Sequence, residues 1–380
     1  MKNAQFAFLL LVGCQQKEQQ QIESPEDSAQ TVDDSGEASD TEEPADEPAD
    51  EPSSPTDEEP EEIDCPDNTI CVNTFPYTHS DSTIGGESNF DYYSCATSTN
   101  ESGPEIVYQV DIPEDGFLAL DLTEMGSGAD IDVHLLDSRS ANDCIDRGHW
   151  SAGAFISAGR YYVVADTWVN SSGVALSGNY TLQMGLTTVQ DLQDAGMHSE
   201  LAFDALYAFD VAWSQGDGSR FEYGITDYTL HSSDPRFWLY DLATGELLWN
   251  LHIAHGEASS DYWDEGYADT FSNTPDSHQS SLGMMRGAES YTGAYGYSMR
   301  IDGLEPGYND NVRSRAIVMH GWQGSRPEYV NQYGSVAPTW GCPAVDDREV
   351  VDIVDTLSDG ALMFFWYPDG NWSEYSSYLP

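Results

Sequence analysis

Hydrophobic and polar residues alternate in short runs through residues 65–185. Clusters of Gly, Asp, Asn and Ser separate the runs, and no helical period of useful length interrupts them. The clearest runs are 105–110, 116–120, 132–136 and 159–164. Alternation places one side of each strand in a core, and the turn residues end each strand, so this pattern predicts an antiparallel β-sandwich.

The pattern changes in residues 190–380. Residues 191–214 are predicted to be helical, because apolar residues recur there at near-helical spacing. These residues are Leu201, Ala205, Ala208 and Ala212. Two apolar runs follow, 236–241 and 247–253, and the Thr244-Gly245 pair between them predicts a hairpin. The predicted fold class is mainly β, with an N-terminal antiparallel β-sandwich and a β-rich second domain that has a few helices.

The first 64 residues lack both patterns. Residues 1–14 have a short positive start, an apolar stretch and the ending Leu11-Val12-Gly13-Cys14, which matches a bacterial lipoprotein signal with Cys14 as the lipidated residue. The alternative is a plain secretory signal. Residues 15–64 carry 20 acids and almost no large apolar side chains, which predicts a disordered acidic linker or spacer. We expect a lipid-anchored protein that faces the periplasm, with Gln15 favouring the outer membrane of a Gram-negative cell.

The charge of the chain is strongly negative. It has 13 Lys plus Arg against 67 Asp plus Glu, a formal net charge of −54. This excludes a cationic nucleic-acid-binding surface. Both lysines, Lys2 and Lys17, lie near the N-terminus. A surplus of carboxylates with few lysines is typical of proteins adapted to high salt, where repulsion between carboxylates is screened.

Four of the six cysteines lie within one 80-residue stretch of a chain that we expect to be exported. They are Cys65, Cys71, Cys95 and Cys144. An even set in an oxidising compartment predicts two disulfides, and among the three pairings we favour Cys65–Cys71 with Cys95–Cys144. Zinc is the competing interpretation, although no Cys-x-x-Cys pair is present. Cys342 stands almost two hundred residues beyond Cys144, and we expect it to carry a thiol.

Asp130, Asp132 and His134 alternate along one predicted strand of the sandwich, so they share one face. A calcium or zinc site is one interpretation. We favour the other, a solvated face of an edge strand, and predict no metal. Residues 103–108, 130–136 and 159–166 resemble the bacterial pre-peptidase C-terminal type of sandwich. We therefore expect an accessory domain, either structural or carbohydrate-binding.

The candidate chemistry lies near the end of the chain. His320 follows the apolar run 315–319, and Cys342 lies in Pro338-Thr339-Trp340-Gly341-Cys342-Pro343. A thiol needs a base to become a nucleophilic thiolate, and histidine is the usual base. Gly341 leaves room for a substrate, and main-chain N–H groups around Gly341 are candidates for an oxyanion hole. An inert buried cysteine is the alternative that these residues alone favour.

The order of short motifs reverses that preference. Residues 236–367 resemble the bacterial L,D-transpeptidase catalytic domain, in particular its murein-associated second subfamily. The motifs are 253–256, 272–275, 280–283, 291–296, 303–307, 315–321 and 340–344. The resemblance implies a Cys342 nucleophile, a His320 base, a peptidoglycan tetrapeptide stem as substrate, 3–3 cross-links as product and no cofactor. If water is the acyl acceptor, the enzyme is instead an L,D-carboxypeptidase. If the cysteine site has lost its activity, the protein is a non-catalytic lipoprotein that binds the cell wall.

The resemblance also implies residues around the cleft. Weak substrate-binding candidates are Ser281, Gly283, Tyr295 and Gly321, and the arginines that could receive a stem carboxylate are Arg286, Arg300, Arg313 and Arg315. For any single arginine we favour pairing with one of the many acids instead. For His255 we favour structural packing over catalysis. Two departures from the larger family are Trp340, where it has histidine, and Ala344, where it has arginine. We expect a monomer.

Overall fold

The alternating runs of the N-terminal region form the strands of a two-layer sandwich in a computed structural model, which describes residues 65–260 and 266–380. The predicted signal with Cys14 and the acidic linker lie outside the described residues. One layer has the strand order β1-β3-β8-β5-β6, and the other β2-β9-β4-β7. The strands are β1 (Ile70–Val72), β2 (Tyr77–Ser82), β3 (Ile106–Ile112), β4 (Gly116–Met125), β5 (Ile131–Leu136), β6 (Cys144–Gly148), β7 (Ser151–Ile156), β8 (Gly159–Thr167) and β9 (Asn179–Thr188).

The core of the sandwich lies between these two sheets. It is built from side chains that alternate along the strands, such as Ile131, Val133 and Leu135 of β5. Two disulfides, Cys65–Cys71 and Cys95–Cys144, are present. Both predicted pairings are therefore confirmed.

The predicted helix 191–214 is two helices, α1 (Val189–Asp194) and α2 (Ser199–Gln215). Gly196, with φ of +101°, separates them in a left-handed backbone conformation that other residues adopt with strain. Thr188 and Asp191 form a capping box at the start of α1. The four apolar positions predicted for this region, Leu201, Ala205, Ala208 and Ala212, are all fully buried in α2.

The second domain is built around one mixed sheet of eight strands, in the order β12-β11-β10-β17-β13-β14-β15-β16. The strands are β10 (Glu222–Asp227), β11 (Phe237–Asp241), β12 (Glu246–Leu251), β13 (Gly283–Gly293), β14 (Gly296–Gly303), β15 (Val318–Trp322), β16 (Ala344–Asp346) and β17 (Leu362–Trp366). The helices are α3 (Pro327–Tyr333), α4 (Val350–Leu357) and α5 (Gly370–Ser373). The hairpin predicted at Thr244-Gly245 joins β11 to β12, and the mainly β fold class is confirmed.

Helix α2 joins the two domains through a shared core. Phe117 of β4 packs edge-to-face on Phe209 of α2, with 4.8 Å between ring centroids. The same hydrophobic cluster includes Tyr223 of β10 and Phe364 of β17. The sandwich and the eight-stranded sheet therefore both bury apolar surface against one helix. No helix in the described residues is long and apolar enough to cross a membrane.

Candidate active site

Strands β15 and β16 bring His320 and Cys342 to one end of the eight-stranded sheet. The two strands are parallel, with His320 opposite Ala344. Cys342 precedes Ala344 by two residues, and its Sγ lies 3.4 Å from the main-chain nitrogen of Val318. Because side chains alternate along a strand, Val318 and His320 belong to the same face of β15. The fold therefore places the sulfur beside the strand that carries the histidine.

Cys342 is fully buried. A thiolate is the form of cysteine that attacks a carbonyl, so this sulfur needs a base to act as a nucleophile.

The imidazole of His320 is buried, and its two nitrogens differ. Nδ1 lies 3.0 Å from the main-chain oxygen of Gly321. A carbonyl only accepts, so this contact assigns the proton to Nδ1 and leaves a lone pair on Nε2. Nε2 has no hydrogen-bond partner among the described residues. Burial lowers the pKa of His320 to about 4, partly offset by the bond to Gly321, so the ring is neutral at pH 7.

Tyr295 covers the imidazole. Its ring stacks on that of His320, with 4.3 Å between centroids and 19° between planes. Tyr295 lies in the turn between β13 and β14, so a hairpin holds this residue over the histidine. Tyr295 and Gly321 were candidates from the sequence, and both contact His320.

The turn before Cys342 is fixed by Thr339. Its hydroxyl lies 2.7 Å from the main-chain oxygen of Cys342, to which it donates, and it accepts from the N–H of Gly341 at 3.2 Å. Gly341 has φ of +107°, and a Cβ there would lie 2.6 Å from the main-chain oxygen of Gln279. Only glycine fits this approach. The Gly341 N–H was an oxyanion-hole candidate, but it already donates its hydrogen bond to the Thr339 hydroxyl.

Arg315 anchors the loop that lies against Gly341. Its guanidinium donates to Ser272 O (2.6 Å), Ser281 Oγ (2.7 Å), Ser277 Oγ (3.1 Å) and Gln279 O (2.6 Å). Ser281 also donates to Ser272 O at 2.9 Å. These bonds give Arg315 and Ser281 a role in shaping the loop. That either residue binds substrate stays a prediction.

The other substrate-binding candidates have structural partners. Arg300 pairs with Glu289 at 3.0 Å and lies over the ring of Tyr291. Arg313 also pairs with Glu289, at 2.9 Å, and with Asp302, while Arg286 pairs with Asp302 at 3.5 Å. Gly283 has φ of +103°, and a Cβ there would lie 2.1 Å from Glu305 Oε1. Trp340 stacks on His278, with 4.2 Å between centroids.

His255 is buried behind the cysteine turn. Its Nδ1 lies 2.5 Å from Nη2 of Arg236, and its Nε2 lies 2.7 Å from Ser260 Oγ. Arg236 is fully buried, and desolvation lowers its pKa to about 10. The main-chain oxygen of His255 accepts from the N–H of Thr339 at 2.9 Å. His255 thus supports the turn through its main chain, which fits the structural role favoured from the sequence.

Sequence reasoning assigned no role to Thr339, Gln279 or Arg236. Thr339 lies next to the Gly341-Cys342 motif, so its position was a usable signal. Gln279 and Arg236 reach the site through the tertiary structure, and no sequence motif marks either residue.

Residues 194–366 match the family model of the L,D-transpeptidase catalytic domain. This confirms the resemblance inferred from the sequence for the second domain. No curated protein sequence matches the chain.

Two solved structures are similar to part of the chain. The pre-peptidase C-terminal domain of collagenase from Bacillus anthracis has 16% identity, covers 32% of this chain and 99% of its own, and gives a TM-score of 0.22. PliG from Aeromonas hydrophila, a periplasmic inhibitor of g-type lysozyme, has 9% identity, covers 32% of this chain and 98% of its own, and also gives a TM-score of 0.22. A pre-peptidase C-terminal domain is thus among the structural neighbours.

Proposed function

Because residues 194–366 match the L,D-transpeptidase catalytic domain, we propose that the protein is a peptidoglycan L,D-transpeptidase with a cysteine nucleophile. In this proposal the reduced thiol of Cys342 attacks the carbonyl before the terminal D-alanine of a tetrapeptide stem. A side-chain amine of a neighbouring stem then resolves the acyl-enzyme to form a 3–3 cross-link. The observation that carries the proposal is the buried lone pair on His320 Nε2, on the strand that borders Cys342.

The proton path follows from the tautomer of His320. Nε2 accepts the thiol proton as Sγ bonds to the carbonyl carbon, and it returns that proton to the leaving nitrogen of D-alanine. With a pKa near 4, the imidazole stays neutral in the free enzyme, so proton transfer accompanies attack instead of preceding it. The Nδ1–H bond to Gly321 holds the ring in place when it becomes positive.

The accessory parts fit a cell-wall setting. We propose that lipid on Cys14 anchors the protein at the outer membrane and that residues 15–64 let the folded part reach the sacculus. Carboxylate recognition by Arg300 belongs to the same proposal, and it requires a rearrangement of its present contacts.

The test is mass spectrometry of the purified protein with disaccharide-tetrapeptide, in high salt and with mild reductant. Parent, Cys342→Ala and His320→Gln are compared, and iodoacetamide labelling establishes in each sample whether residue 342 is a reactive thiol. Loss of D-alanine with a 3–3 dimer in the parent alone supports the proposal. Loss of D-alanine in which the sole product is a tripeptide monomer identifies an L,D-carboxypeptidase.

Two negative results are also informative. A reactive Cys342 without any change in the muropeptide contradicts this acyl donor. A folded parent whose Cys342 stays unreactive after reduction contradicts catalysis, and it favours a cell-wall-binding lipoprotein.

A further inference from the structure

The sandwich contains a buried polar centre that its sequence did not predict. Strand β5 lies between β8 and β6, so it is internal and not an edge strand. Asp132 and His134 are 2% and 0% exposed. The solvated face expected for them is therefore wrong. The segment between β2 and β3, residues 83–105, covers this face of the sheet, with the Tyr93 ring stacked on His134 at 3.6 Å between centroids.

Carboxyl groups are concentrated under this cover. Asp132 lies directly opposite Asp166 in the β5–β8 register, and the Tyr93 hydroxyl donates to Asp166 at 2.6 Å. Glu101, from the covering segment, is fully buried beside them. Burial raises the pKa of Asp166 and of Glu101 above 7, so both hold a proton at neutral pH. The nearby cation is Arg147, which pairs with Asp132 and, at 3.3 Å, with Glu101.

Several polar atoms of the centre have no hydrogen-bond partner among the residues that the structure describes. They are both ring nitrogens of His134, Glu101 Oε2 and Arg147 Nε. His134 Nε2 lies 4.0 Å from Glu101 Oε1, so the imidazole is directed at the acidic group. Buried polar atoms in folded proteins are nearly always paired, and an unpaired imidazole beside carboxylates therefore points to a ligand.

The centre opens to solvent beside Asp130 and His149. His149 Nδ1 lies 3.2 Å from Asp130 Oδ1 and 3.0 Å from Asp132 Oδ1. One donor atom from each of these three residues lies within 4.8 Å of the other two. The side chain of His149 is 46% exposed, which gives an ion a path from solution.

We propose that Asp130, Asp132 and His149 bind a divalent transition-metal ion, zinc being the best match, at the mouth of this centre. Two carboxylate oxygens and an imidazole nitrogen form a donor set that suits zinc. Calcium instead takes six to eight oxygen ligands, and the imidazole would contribute nothing to it. The ion would neutralise charge on Asp130 and Asp132, and it would stabilise the sheet under residues 83–105.

The proposal predicts one saturable zinc site per chain that depends on these side chains. The full chain is titrated with Zn²⁺ by calorimetry, with excess Mg²⁺ to occupy weak acidic sites. Asp130→Asn and His149→Gln are compared with the parent. Asp111→Asn is the matched control, because Asp111 is a partly exposed sandwich aspartate that pairs with Arg160. We expect at least tenfold weaker binding in the two site variants, parent-like binding in the control, and a zinc-dependent rise in Tm only where binding is retained.

Three results would overturn the proposal. They are the absence of a stoichiometric site in the parent, equal zinc affinity in the parent and both site variants, and tighter binding of Ca²⁺ than of Zn²⁺. Near-UV circular dichroism and an intact Cys95–Cys144 disulfide establish that each variant is folded. Because Asp130 and His149 are partly exposed, their substitution leaves the buried packing in place.

Discussion

His320 links the stability of the protein to pH. Its pKa is about 4 in the folded protein and about 6.5 in an unfolded chain, so between these values the unfolded state binds more protons. The free energy of unfolding therefore falls as pH drops from about 6.5 to 4, by up to about 3 kcal/mol from this group. Denaturant titrations of parent and His320→Gln at pH 7 and pH 4.5 measure it. We expect the loss on acidification to be smaller in the variant, and equal losses would contradict the assigned pKa.

At the residue scale, candidate residues could be located from motifs, and burial could not be predicted. A short motif surrounds each of Cys342 and His320, and the structure brings both residues to one end of one sheet. Asp132 and His134 were misread because alternation fixes which side of a strand they share, while their burial depends on residues 83–105, a segment distant in sequence.

The loop 272–281 is an element whose conformation depends on one side chain. Arg315 donates four hydrogen bonds to it, two of them to main-chain oxygens at 2.6 Å. Arg315→Met removes these bonds. Ser272 O keeps the bond from Ser281, but Gln279 O loses the Arg315 donor, which costs about 1–3 kcal/mol where water cannot reach that oxygen. We expect a lower Tm, and lower kcat with little change in KM, because the loop supports Gly341.

Arg313→Met is the control for this prediction, since Arg313 is exposed and pairs with acids on the surface. We expect it to change Tm by less than a degree or two, as exposed ion pairs contribute about 0–1 kcal/mol. A rise in KM alone in Arg315→Met, with Tm unchanged, would contradict the anchoring role and favour carboxylate binding.

At the element scale, the strands with clear alternation were predictable, and the exact helices were not. Alternation located β3, β4, β5 and β8 to within a few residues. The break between α1 and α2 was missed because the apolar positions that predicted the helix, Leu201 to Ala212, all lie beyond Gly196. The capping box at Thr188 and Asp191 was a local signal that marks the true start of α1.

The shared core predicts that the two domains unfold together. Phe209 is fully buried between them, and Phe209→Ala should destabilise the protein by about 3–5 kcal/mol, the range for deleting a buried aromatic ring. Phe203, on the same helix but 40% exposed, is the matched control. Calorimetry should give one transition in the parent, lowered strongly by Phe209→Ala and weakly by Phe203→Ala. Two parent transitions, only one of which moves, would show independent domains.

The charge of the whole molecule sets its response to salt. Twenty of the 67 acids lie in residues 15–64, so 47 acids face 11 arginines in the remainder of the chain. The Debye length falls from about 10 Å at 0.1 M to about 3 Å at 1 M, which weakens repulsion between surface carboxylates. Salt also weakens ion pairs such as Arg313–Glu289, but each exposed pair contributes little. Repulsion should therefore dominate, and Tm should rise by several degrees between 0.05 M and 1 M NaCl.

A charge-reduced variant separates screening from general effects of salt on hydration. Glu114, Glu124 and Glu246 are exposed, and replacing all three by Gln removes repulsion without altering the core. At 0.05 M NaCl this variant should have a higher Tm than the parent. In 1 M NaCl the difference in Tm should shrink, because salt already screens the carboxylate repulsion that the substitutions remove. A constant difference at both salt concentrations would mean that the acids act by some route other than mutual repulsion. Self-repulsion would then not explain the composition of this chain.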